Sequence, residues 1–419
     1  MSDAAKPRIL FLNRSYWPDN EATGQLLTAL CEGLADDFDV HVLAGCPNVT
    51  TCDADWTNTN QRNGVTIHRV KHTTWPKSNM LMKAANFLSF AFAAQRQIFK
   101  VPQPDVVVFE TDPFLLPFVA DRLHRKTGCS MIGYLQDIYP DVAVALGKVS
   151  NNWFIRTLRK KLFNVYSRCQ RMVVLSTDMR QLLLDAEIPG DRIEIIPNWA
   201  DTDAIVPIPR EDNLFLKRHN LSDKFVVMYS GNLGLTQRLD EFIDAAALLQ
   251  NDPDIQFVFV GNGARKADLQ QQVARKNLTN VLFCDYQPLS ELSHSLSAAD
   301  LHLIPLTAEL SRCLMPSKLY GILAAGRAYL TNAPKESELH QLTKTHEVGL
   351  TVDAGSPQRI AAGISDSKAV PESIAMMGLR ARRLAKSYYT KEHATVAFTR
   401  LLQNISERPN DTKSCVESA

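Results

Sequence analysis

The sequence lacks an excess of charge of either sign. Its 419 residues include 46 lysines and arginines against 45 aspartates and glutamates. Without a basic surplus there is no electrostatic signature of nucleic-acid binding, so we expect no nucleic-acid partner. The sequence also lacks the run of about 20 apolar residues that a membrane-spanning helix needs. It shows no secretory signal peptide, because Asp3, Lys6 and Arg8 lead directly into a strand pattern.

Metal-binding patterns are also scarce. The eight cysteines are scattered, none forms a C-x-x-C pair, and only Cys46 and Cys52 lie close together. Free thiols in a reducing cytoplasm explain this spacing better than a zinc site. Asp53-Ala54-Asp55 occurs in a polar loop, and His68 and His72 flank a strand end that would not bring both to one ion. We therefore expect no metal and no other cofactor.

Short apolar runs alternate with helical patterns along the whole chain. This alternation predicts an α/β protein with parallel sheets covered on both faces. The predicted strands are Arg8–Asn13, Asp39–Ala44, Val65–Val70, Asp105–Glu110, Ser130–Gln136, Arg171–Ser176, Ile193–Ile196, Phe225–Ser230, Gln256–Gly261, Val281–Cys284, Asp300–Pro305, Arg327–Thr331 and Val348–Val352.

The segment from Asp201 to Arg210 has no periodicity and contains Pro207 and Pro209, which is typical of a linker. It predicts two doubly wound, Rossmann-like domains, over 1–205 and 206–385. Met376–Leu402 has a helical pattern, and we expect a C-terminal helix over 386–407, with packing back onto the first domain as one option, before a disordered tail over 408–419. Ligands in such sheets bind beyond the carboxyl ends of the strands, which points to a cleft between the facing domains.

The stretch from Arg312 to Gly326 predicts a loop that leads into a helix. Pro316 suits a helix start, Ser317 or a neighbour can cap it, and Gly326 suits a left-handed end. The free N–H groups of such a start bind anions. Lys318 in the first turn opposes the helix dipole, so it suits a phosphate better than it suits stability. A solvated lysine is the alternative.

Six phrases, in order, match one family. They are Trp17-Pro18-Asp19 through Gly24, Leu135-Gln136-Asp137-Ile138-Tyr139-Pro140-Asp141, Val174-Leu175-Ser176, Ile196-Pro197-Asn198-Trp199-Ala200-Asp201, Tyr229-Ser230-Gly231-Asn232-Leu233-Gly234 and Pro316-Ser317-Lys318-Leu319-Tyr320-Gly321. From Arg8 to Tyr389 the chain resembles the retaining glycosyltransferases of family four, which have the GT-B fold. The branch it resembles builds bacterial O-antigen and exopolysaccharide on a lipid carrier.

The resemblance implies that the first domain binds the acceptor and the second binds a nucleotide-sugar donor. Asn232 stands where relatives often have an arginine, so Arg238 would supply the charge for the diphosphate, with Lys318; a solvated helix residue is the alternative for Arg238. The implied donor-binding residues are Gly24, Gly231, Asn232, Arg238, Gly261, Tyr286, Met315, Ser317, Lys318 and Leu319. For Gly24, an ordinary helix-start glycine is the alternative.

One departure concerns the two glutamates that many relatives carry eight positions apart. Their positions here hold Cys313 and Gly321. Other groups must then recognise the donor sugar and the ribose.

On the acceptor side, Asp137 matches the position where relatives carry a histidine or aspartate, so it is the predicted catalytic residue. It could orient the acceptor hydroxyl or accept its proton. Asp141 is a second acceptor-binding candidate. A capping aspartate before Ile138-Tyr139-Pro140 is the structural alternative for Asp137.

Two stretches of the first domain suggest a membrane surface. Met80–Lys100 is rich in leucine and phenylalanine, and Arg156–Arg171 holds six basic residues beside apolar ones. Such helices can lie on an anionic bilayer, although a core helix and a solvated basic face are the alternatives. We expect a cytoplasmic protein, peripheral on the inner face of the cytoplasmic membrane.

Together these features predict metal-independent retaining transfer of a sugar from a UDP- or GDP-sugar to a lipid-linked saccharide. A non-hydrolysing nucleotide-sugar epimerase and an inactive nucleotide-sugar-binding protein are the alternatives.

Overall fold

In a computed structural model, the described residues are 6–19, 21–47, 59–75, 80–234 and 237–406. They form two compact units. The first unit contains the residues up to Asp141, Val149–Pro197 and the residues from Lys391 onward, and the second contains Val142–Lys148 and Asn198–Thr390.

The described strands are β1 (Arg8–Leu12), β2 (Asp39–Gly45), β3 (Asn60–Arg62), β4 (Val65–Val70), β5 (Val106–Phe109), β6 (Ser130–Tyr134), β7 (Arg171–Val174), β8 (Ile193–Ile195), β9 (Phe225–Ser230), β10 (Ile255–Val260), β11 (Val281–Cys284), β12 (Leu301–Ile304), β13 (Ala328–Thr331) and β14 (Gly349–Thr351). All the predicted strands are present, each within two residues of its predicted bounds. The antiparallel β3 was not predicted, because Asn60-Gln61-Arg62 has no apolar pattern.

The described helices are α1 (Ala22–Leu34), α2 (Met80–Gln97), α3 (Leu116–Thr127), α4 (Asp141–Ala145), α5 (Trp153–Tyr166), α6 (Thr177–Asp185), α7 (Leu214–Arg218), α8 (Asp240–Leu248), α9 (Lys266–Arg275), α10 (Leu292–Ser297), α11 (Ala308–Ser311), α12 (Lys318–Ala324), α13 (Glu338–His346), α14 (Pro357–Ala369), α15 (Pro371–Tyr388) and α16 (Lys391–Ser406). In the part of the chain that the structure describes, no helix combines the length and apolarity required to cross a bilayer.

The sheet of the first unit has the strand order β3-β4-β2-β1-β5-β6-β7-β8. Every pair except β3–β4 is parallel. β1 pairs with β2 on one side and with β5 on the other, and its Ile9–Leu12 are fully buried because both faces of the sheet are covered. The order therefore reverses at β1, and the carboxyl ends of β1 and β5 flank a topological switch point.

The sheet of the second unit is parallel throughout, in the order β11-β10-β9-β12-β13-β14. Here β9 lies between β10 and β12, so the switch point lies beyond the ends of β9 and β12. Phe257 and Leu303 from the central strands and Phe242 from α8 share one buried apolar cluster.

The boundaries of the units differ from the predicted ones. The main part of the first unit ends at Pro197 rather than at 205, and Val142–Lys148 belongs to the second unit. The final helix is also shorter than predicted and belongs to the first unit, where Phe398 packs edge-on against Tyr134 with ring centroids 4.9 Å apart. The predicted tail, 408–419, lies outside the described residues.

The helical pattern over Met376–Leu402 corresponds to parts of two helices, so the single-helix prediction was wrong. α15 ends at Tyr388, and Tyr389 leaves the helical conformation with φ −123° and ψ 47°. Its carbonyl accepts the Ala200 N–H at 3.2 Å, and its ring packs against Tyr320. Neither glycine nor proline marks the break, so only these tertiary contacts reveal it.

Candidate active site

Two glycine turns lie side by side at the carboxyl ends of β9 and β10. Gly231 and Gly261 each follow a strand directly, with φ of 143° and 142°, a region that favours glycine. The Gly231 N–H donates to Val260 O and the Gly261 N–H donates to Cys284 O, both at 2.9 Å. A Cβ on Gly261 would overlap the carbonyl oxygen of Gly231. Glycine is therefore required there by the contact between the two turns.

Lys318 extends its side chain beneath the first of these turns. Its Nζ lies 3.9 Å from the centroid of the Tyr229 ring, and the position of a Cβ on Gly231 would lie 3.6 Å from that Nζ. Among the described residues, the ammonium has no carboxylate within ion-pair distance and no hydrogen-bond acceptor. Burial lowers the pKa of Lys318 to about 7. An unpaired cation beside two glycine turns is suited to receive an anion.

The helix that begins at Lys318 is shorter than the sequence suggests. α12 has seven residues, Ser317 at its N-cap has helical dihedral angles, and no side-chain cap bond forms. The expectation of a Ser317 cap was wrong at this point. Met315 and Leu319 are buried, so they pack in the core beneath the site, while Gly326 has the predicted left-handed φ of 64°.

Arg238 and Asn232 belong to the same loop region, which contains Leu235 and Thr236 outside the described residues. The Arg238 guanidinium is 61% exposed and lies 3.8 Å from Glu241 at the start of α8. Glu241 itself accepts from Asn332 Nδ2 and from the Gly355 N–H. The Arg238 guanidinium is thus exposed at this loop and its ion pair with Glu241 is long, so the pair contributes little to stability.

The third strand of this edge, β11, is followed by a loop that carries Tyr286. Its ring carbon Cε1 would lie 3.5 Å from a Cβ on Gly261, and its hydroxyl donates to Asn262 O at 3.5 Å. The structure therefore brings Gly231, Gly261, Tyr286 and Lys318 together. Sequence reasoning missed Tyr229, whose hydroxyl donates to Asn232 O at 2.8 Å and whose ring lies under the Lys318 ammonium. Its position near the end of a predicted strand was the feature of the sequence that could have identified it as a site residue.

The first unit has a cavity of about 260 Å³ at its own switch point. Residues that follow β1, β5 and β6 form its walls. The charged lining residues are Arg14, Glu21, Glu110, Asp112 and Asp137. Aromatic rings from Phe87, Phe114 and Tyr139 complete much of the wall, with Phe114 and Tyr139 stacked at 5.4 Å.

Carboxylates hold Arg14 in place within this wall. Arg14 Nη2 donates to Asp112 Oδ2 at 2.8 Å and to Glu21 Oε2 at 2.7 Å. These two partners raise the pKa of the guanidinium against the opposing effect of burial. Arg14, the one cation among the described residues that line the cavity, is therefore already paired with two carboxylates.

A buried carboxyl lies deeper in the cavity. Glu110 is 1% exposed, its Oε1 accepts from Gln136 Nε2 at 3.3 Å, and its Oε2 has no partner among the described residues. Burial raises the pKa of Glu110 well above its usual range, and Asp112 adds to the rise. Sequence reasoning missed Glu110, although it ends a predicted strand at the edge where ligands bind.

The predicted acceptor residues separate in the structure. Asp137 lines the cavity, and its N–H donates to Thr111 Oγ1 at 3.3 Å. Asp141 does not line it; both its oxygens accept from Arg159 Nε, at 2.8 and 3.0 Å, at the start of α4. Gly24 is buried against the loop after β1, where a Cβ would lie 3.1 Å from the Ser15 carbonyl carbon. Glycine at this position therefore allows the close packing of the loop, and the donor-binding role of Gly24 stays a prediction.

The described residues contain no cluster of three or more metal-ligating side chains. Asp53 and Asp55 lie outside them. His68 hydrogen-bonds to His41 at 2.8 Å, whereas His72 Nδ1 is held by Thr73 O, so the two histidines four apart do not converge.

Family models match both halves of the chain. The model described as glycosyl transferases group 1 matches residues 211–384, and the model described as glycosyltransferase family 4 matches residues 23–204. The boundary between the two matches falls within the predicted linker, and together they cover most of the sequence.

Among characterised sequences, the chain is similar to a putative colanic acid biosynthesis glycosyl transferase, WcaI, of Escherichia coli, at 24% identity over 87% of this chain and 93% of that protein. It is also similar to a probable glycosyltransferase, WbjE, of Pseudomonas aeruginosa, at 26% identity over 61% of this chain; the match spans 64% of WbjE. Among solved structures, Anabaena Alr3699/HepE in complex with UDP-glucose aligns with a TM-score of 0.72 and 16% identity, over 95% of this chain and 99% of that one. The structural likeness shows the GT-B fold.

Proposed function

Because the chain belongs to the glycosyltransferase family that the group 1 and family 4 models describe, we propose that it transfers a sugar, with retention, from a nucleotide-diphosphate sugar to a lipid-linked saccharide. UDP- and GDP-sugars are the donor classes considered. The similarity to WcaI, which is named for colanic acid biosynthesis, supports a role in bacterial cell-surface polysaccharide synthesis. The complex of HepE with UDP-glucose supports a nucleotide-sugar donor.

The observation that supports the donor site most strongly is the unpaired Lys318 ammonium beside the Gly231 and Gly261 turns. Negative charge develops on the leaving diphosphate during glycosyl transfer. A fixed cation in a partly desolvated position stabilises that charge without reorganisation. The turns leave backbone without side chains at the ends of β9 and β10, so a phosphate group can approach the main chain closely.

Arg238 would add a second charge once a donor is bound. Its exposed guanidinium can present two parallel N–H groups to phosphate oxygens. Asn232, where relatives have arginine, contributes hydrogen bonds without charge. Tyr286 would lie beside the nucleoside, above Gly261.

The acceptor would bind in the first unit, at the cavity that Asp137 lines. Aromatic rings beside carboxylates suit a sugar, which presents C–H groups on one face and hydroxyls at its edge. In this proposal Asp137 orients the acceptor hydroxyl and accepts its proton.

The proposed peripheral membrane association has specific support in the first unit. α3 packs against both α2 and α5, so these helices lie on the same face of the sheet. α2 exposes Leu88 and Phe92, and α5 exposes Trp153 and Phe154 at its start. Exposed aromatic and aliphatic side chains next to basic ones suit the interface of an anionic bilayer. On this ground we propose the inner face of the cytoplasmic membrane as its location.

Of the six basic residues in Arg156–Arg171, three are engaged within the unit. Arg159 pairs with Asp141, Arg168 pairs with Asp121 and Arg171 lies 4.0 Å from Glu194. Arg156, Lys160 and Lys161 are exposed and form no ion pair with a described residue. Those three would meet anionic lipid.

A direct assay tests the proposed function. The purified chain is incubated with UDP- and GDP-sugars and with lipid-linked saccharides extracted from a strain that lacks it, and products are identified by mass spectrometry. We expect a mass increase of one sugar residue, with the donor's anomeric configuration kept in the NMR spectrum of the product. Formation of an epimer from the donor alone would identify an epimerase, and tight donor binding without turnover would identify an inactive binding protein.

A further inference from the structure

The cavity of the first unit has an unusual distribution of hydrogen-bonding groups. Glu21, Asp112 and Asp137 present acceptor oxygens, and Arg14 is held by two of these residues. Glu110 differs from them, because it is buried and its Oε2 has no partner among the described residues. A buried polar atom without a partner costs free energy, so its position is explained if a ligand supplies the missing hydrogen bond.

We propose that this cavity holds one acceptor sugar residue that carries no carboxylate or phosphate, and that Glu110 donates a hydrogen bond to an oxygen of that sugar. The inference rests on the proposed function, since it specifies the acceptor of the same transfer. At about 260 Å³ the cavity is smaller than the roughly 300–1,000 Å³ typical of pockets for drug-sized ligands. A single ring fits this volume better than a longer saccharide.

The direction of the Glu110 hydrogen bond follows from its surroundings. Gln136 Nε2 donates to Glu110 Oε1, so that oxygen is already an acceptor. No lysine or arginine pairs with Glu110 in the part of the chain that the structure describes, and the nearby Asp112 carboxylate opposes a second negative charge. Burial without a cationic partner therefore favours the neutral carboxyl, and in that form Oε2 carries the proton and is the hydroxyl donor.

The preference for an uncharged sugar follows from the other groups. Besides Glu110, three acidic side chains, those of Glu21, Asp112 and Asp137, line the cavity against one guanidinium, and that guanidinium is shared between two of them. A uronate or a sugar phosphate would place a further negative charge beside Asp112 and Asp137 with no free cation to pair with it. Like charges in a partly buried site repel strongly because water screens them poorly. Hydroxyl groups, in contrast, can donate to every one of these carboxylates.

Saturation-transfer NMR with the whole protein and no nucleotide tests the preference. The probes are the methyl glycosides of glucose, galactose and mannose, compared with those of glucuronic and galacturonic acid. We expect at least one neutral glycoside to bind and each uronate to bind about tenfold more weakly or not at all. Binding of a uronate as tight as that of its neutral counterpart, or no binding by any neutral probe, would overturn the proposal.

A matched pair of variants tests the role of Glu110. Glu110→Gln keeps a neutral donor of the same shape and should bind the neutral glycoside within about twofold of the wild type. Glu110→Leu removes the donor and should weaken binding about tenfold. Equal weakening in both variants, or none in either, would contradict a donating Glu110. Glu194→Gln, an exposed carboxylate on β8, is the control and should leave binding unchanged.

These measurements separate the two proposals. If Glu110→Leu does not fold, as thermal unfolding would show, Glu110→Gln and the comparison of neutral with anionic probes still decide the question. Because binding is measured without donor, a failure to detect any sugar transfer counts against the proposed function alone. Transfer by Glu110→Leu with an unchanged acceptor KM counts against this inference alone.

Discussion

The ammonium of Lys318 lies 3.9 Å from the centroid of the Tyr229 ring. Lys318 is the first residue of α12, and Tyr229 lies near the carboxyl end of β9. The ring face attracts the cation, and the Tyr229 hydroxyl is occupied by its bond to Asn232 O. No carboxylate competes for the ammonium among the described residues. The position suits an anionic ligand, and it makes Lys318 the most informative residue to test.

Donor binding should depend on pH through Lys318. Its pKa in the folded protein is about 7, so the fraction that carries a charge falls as pH rises above 7. In the proposed function the donor diphosphate pairs with the charged form, so donor KM should rise about tenfold or more between pH 7 and pH 9. Lys318→Arg stays charged in this range and should give a nearly flat profile. A wild-type KM that is independent of pH would exclude Lys318 from diphosphate binding.

Removing the same charge should stabilise the fold. The pKa of Lys318 in the folded state lies below its ordinary value of 10.5. Below pH 7 the lysine is protonated in both states, so the full cost of burying the charge is present; the cost declines between pH 7 and 10.5 as the folded state loses its proton. Lys318→Met should therefore raise Tm by about 2–5 °C at pH 6 and by much less at pH 10. Calorimetry at both pH values measures this, and a lower Tm at pH 6 would contradict it.

Arg238→Ala should raise the donor KM or lower kcat by about tenfold or more, because a charge-assisted hydrogen bond is worth roughly 1.5–3 kcal/mol. Its fold should be unaffected, since Arg238 is 61% exposed. Arg275→Ala, an exposed arginine at the end of α9, is the matched control. Steady-state kinetics with both variants decide the point. Kinetics like those of the wild type in Arg238→Ala would leave it as a solvated residue.

Transfer should not require a divalent metal. Lys318, Arg238 and backbone N–H groups are proposed to neutralise the diphosphate, so EDTA should leave most of the activity intact. The initial rate is compared before and after chelation, with and without added Mg²⁺ or Mn²⁺. Complete loss with EDTA that either ion restores would contradict this and direct attention to Asp53 and Asp55.

The exposed cations of α5 should attach the protein to anionic lipid. The triple variant Arg156→Glu, Lys160→Glu and Lys161→Glu should lose co-sedimentation with phosphatidylglycerol vesicles, because each surface charge contributes about 1 kcal/mol. Arg159 stays unchanged, since it holds Asp141. A triple variant with the same charge change in the second unit, Lys217→Glu, Lys344→Glu and Lys386→Glu, is the control.

Two further readouts complete the membrane test. High salt should release most of the wild-type protein from vesicles, and the remainder should depend on Trp153 and Phe154, since apolar insertion is not screened. Transfer to a lipid-linked acceptor should fall in the α5 variant, while transfer to a short soluble acceptor is spared. Equal loss on both acceptors would mean that α5 only supports the fold.

The sequence by itself determined the strands of both sheets, except the short antiparallel β3. Apolar runs such as Ile9–Leu12 predict buried parallel strands, because every residue of such a strand faces a covered side. The helix-start pattern singled out Lys318, and the family resemblance singled out Gly231 and Gly261, which each follow a predicted strand. Local patterns are enough for these features because they depend on neighbours in the chain.

Only the tertiary structure decided which of these residues act together. It paired Asp141 with Arg159 and engaged three of the six basic residues in Arg156–Arg171, because these ion pairs join segments that are separated in sequence. The helix predicted over Met376–Leu402 is interrupted at Tyr389, whose carbonyl accepts a hydrogen bond from the distant Ala200 N–H. The tertiary structure also left Glu110 buried beside Gln136 with an unpaired oxygen. Burial and pairing arise from contacts between separate strands and helices, so no local pattern could predict them.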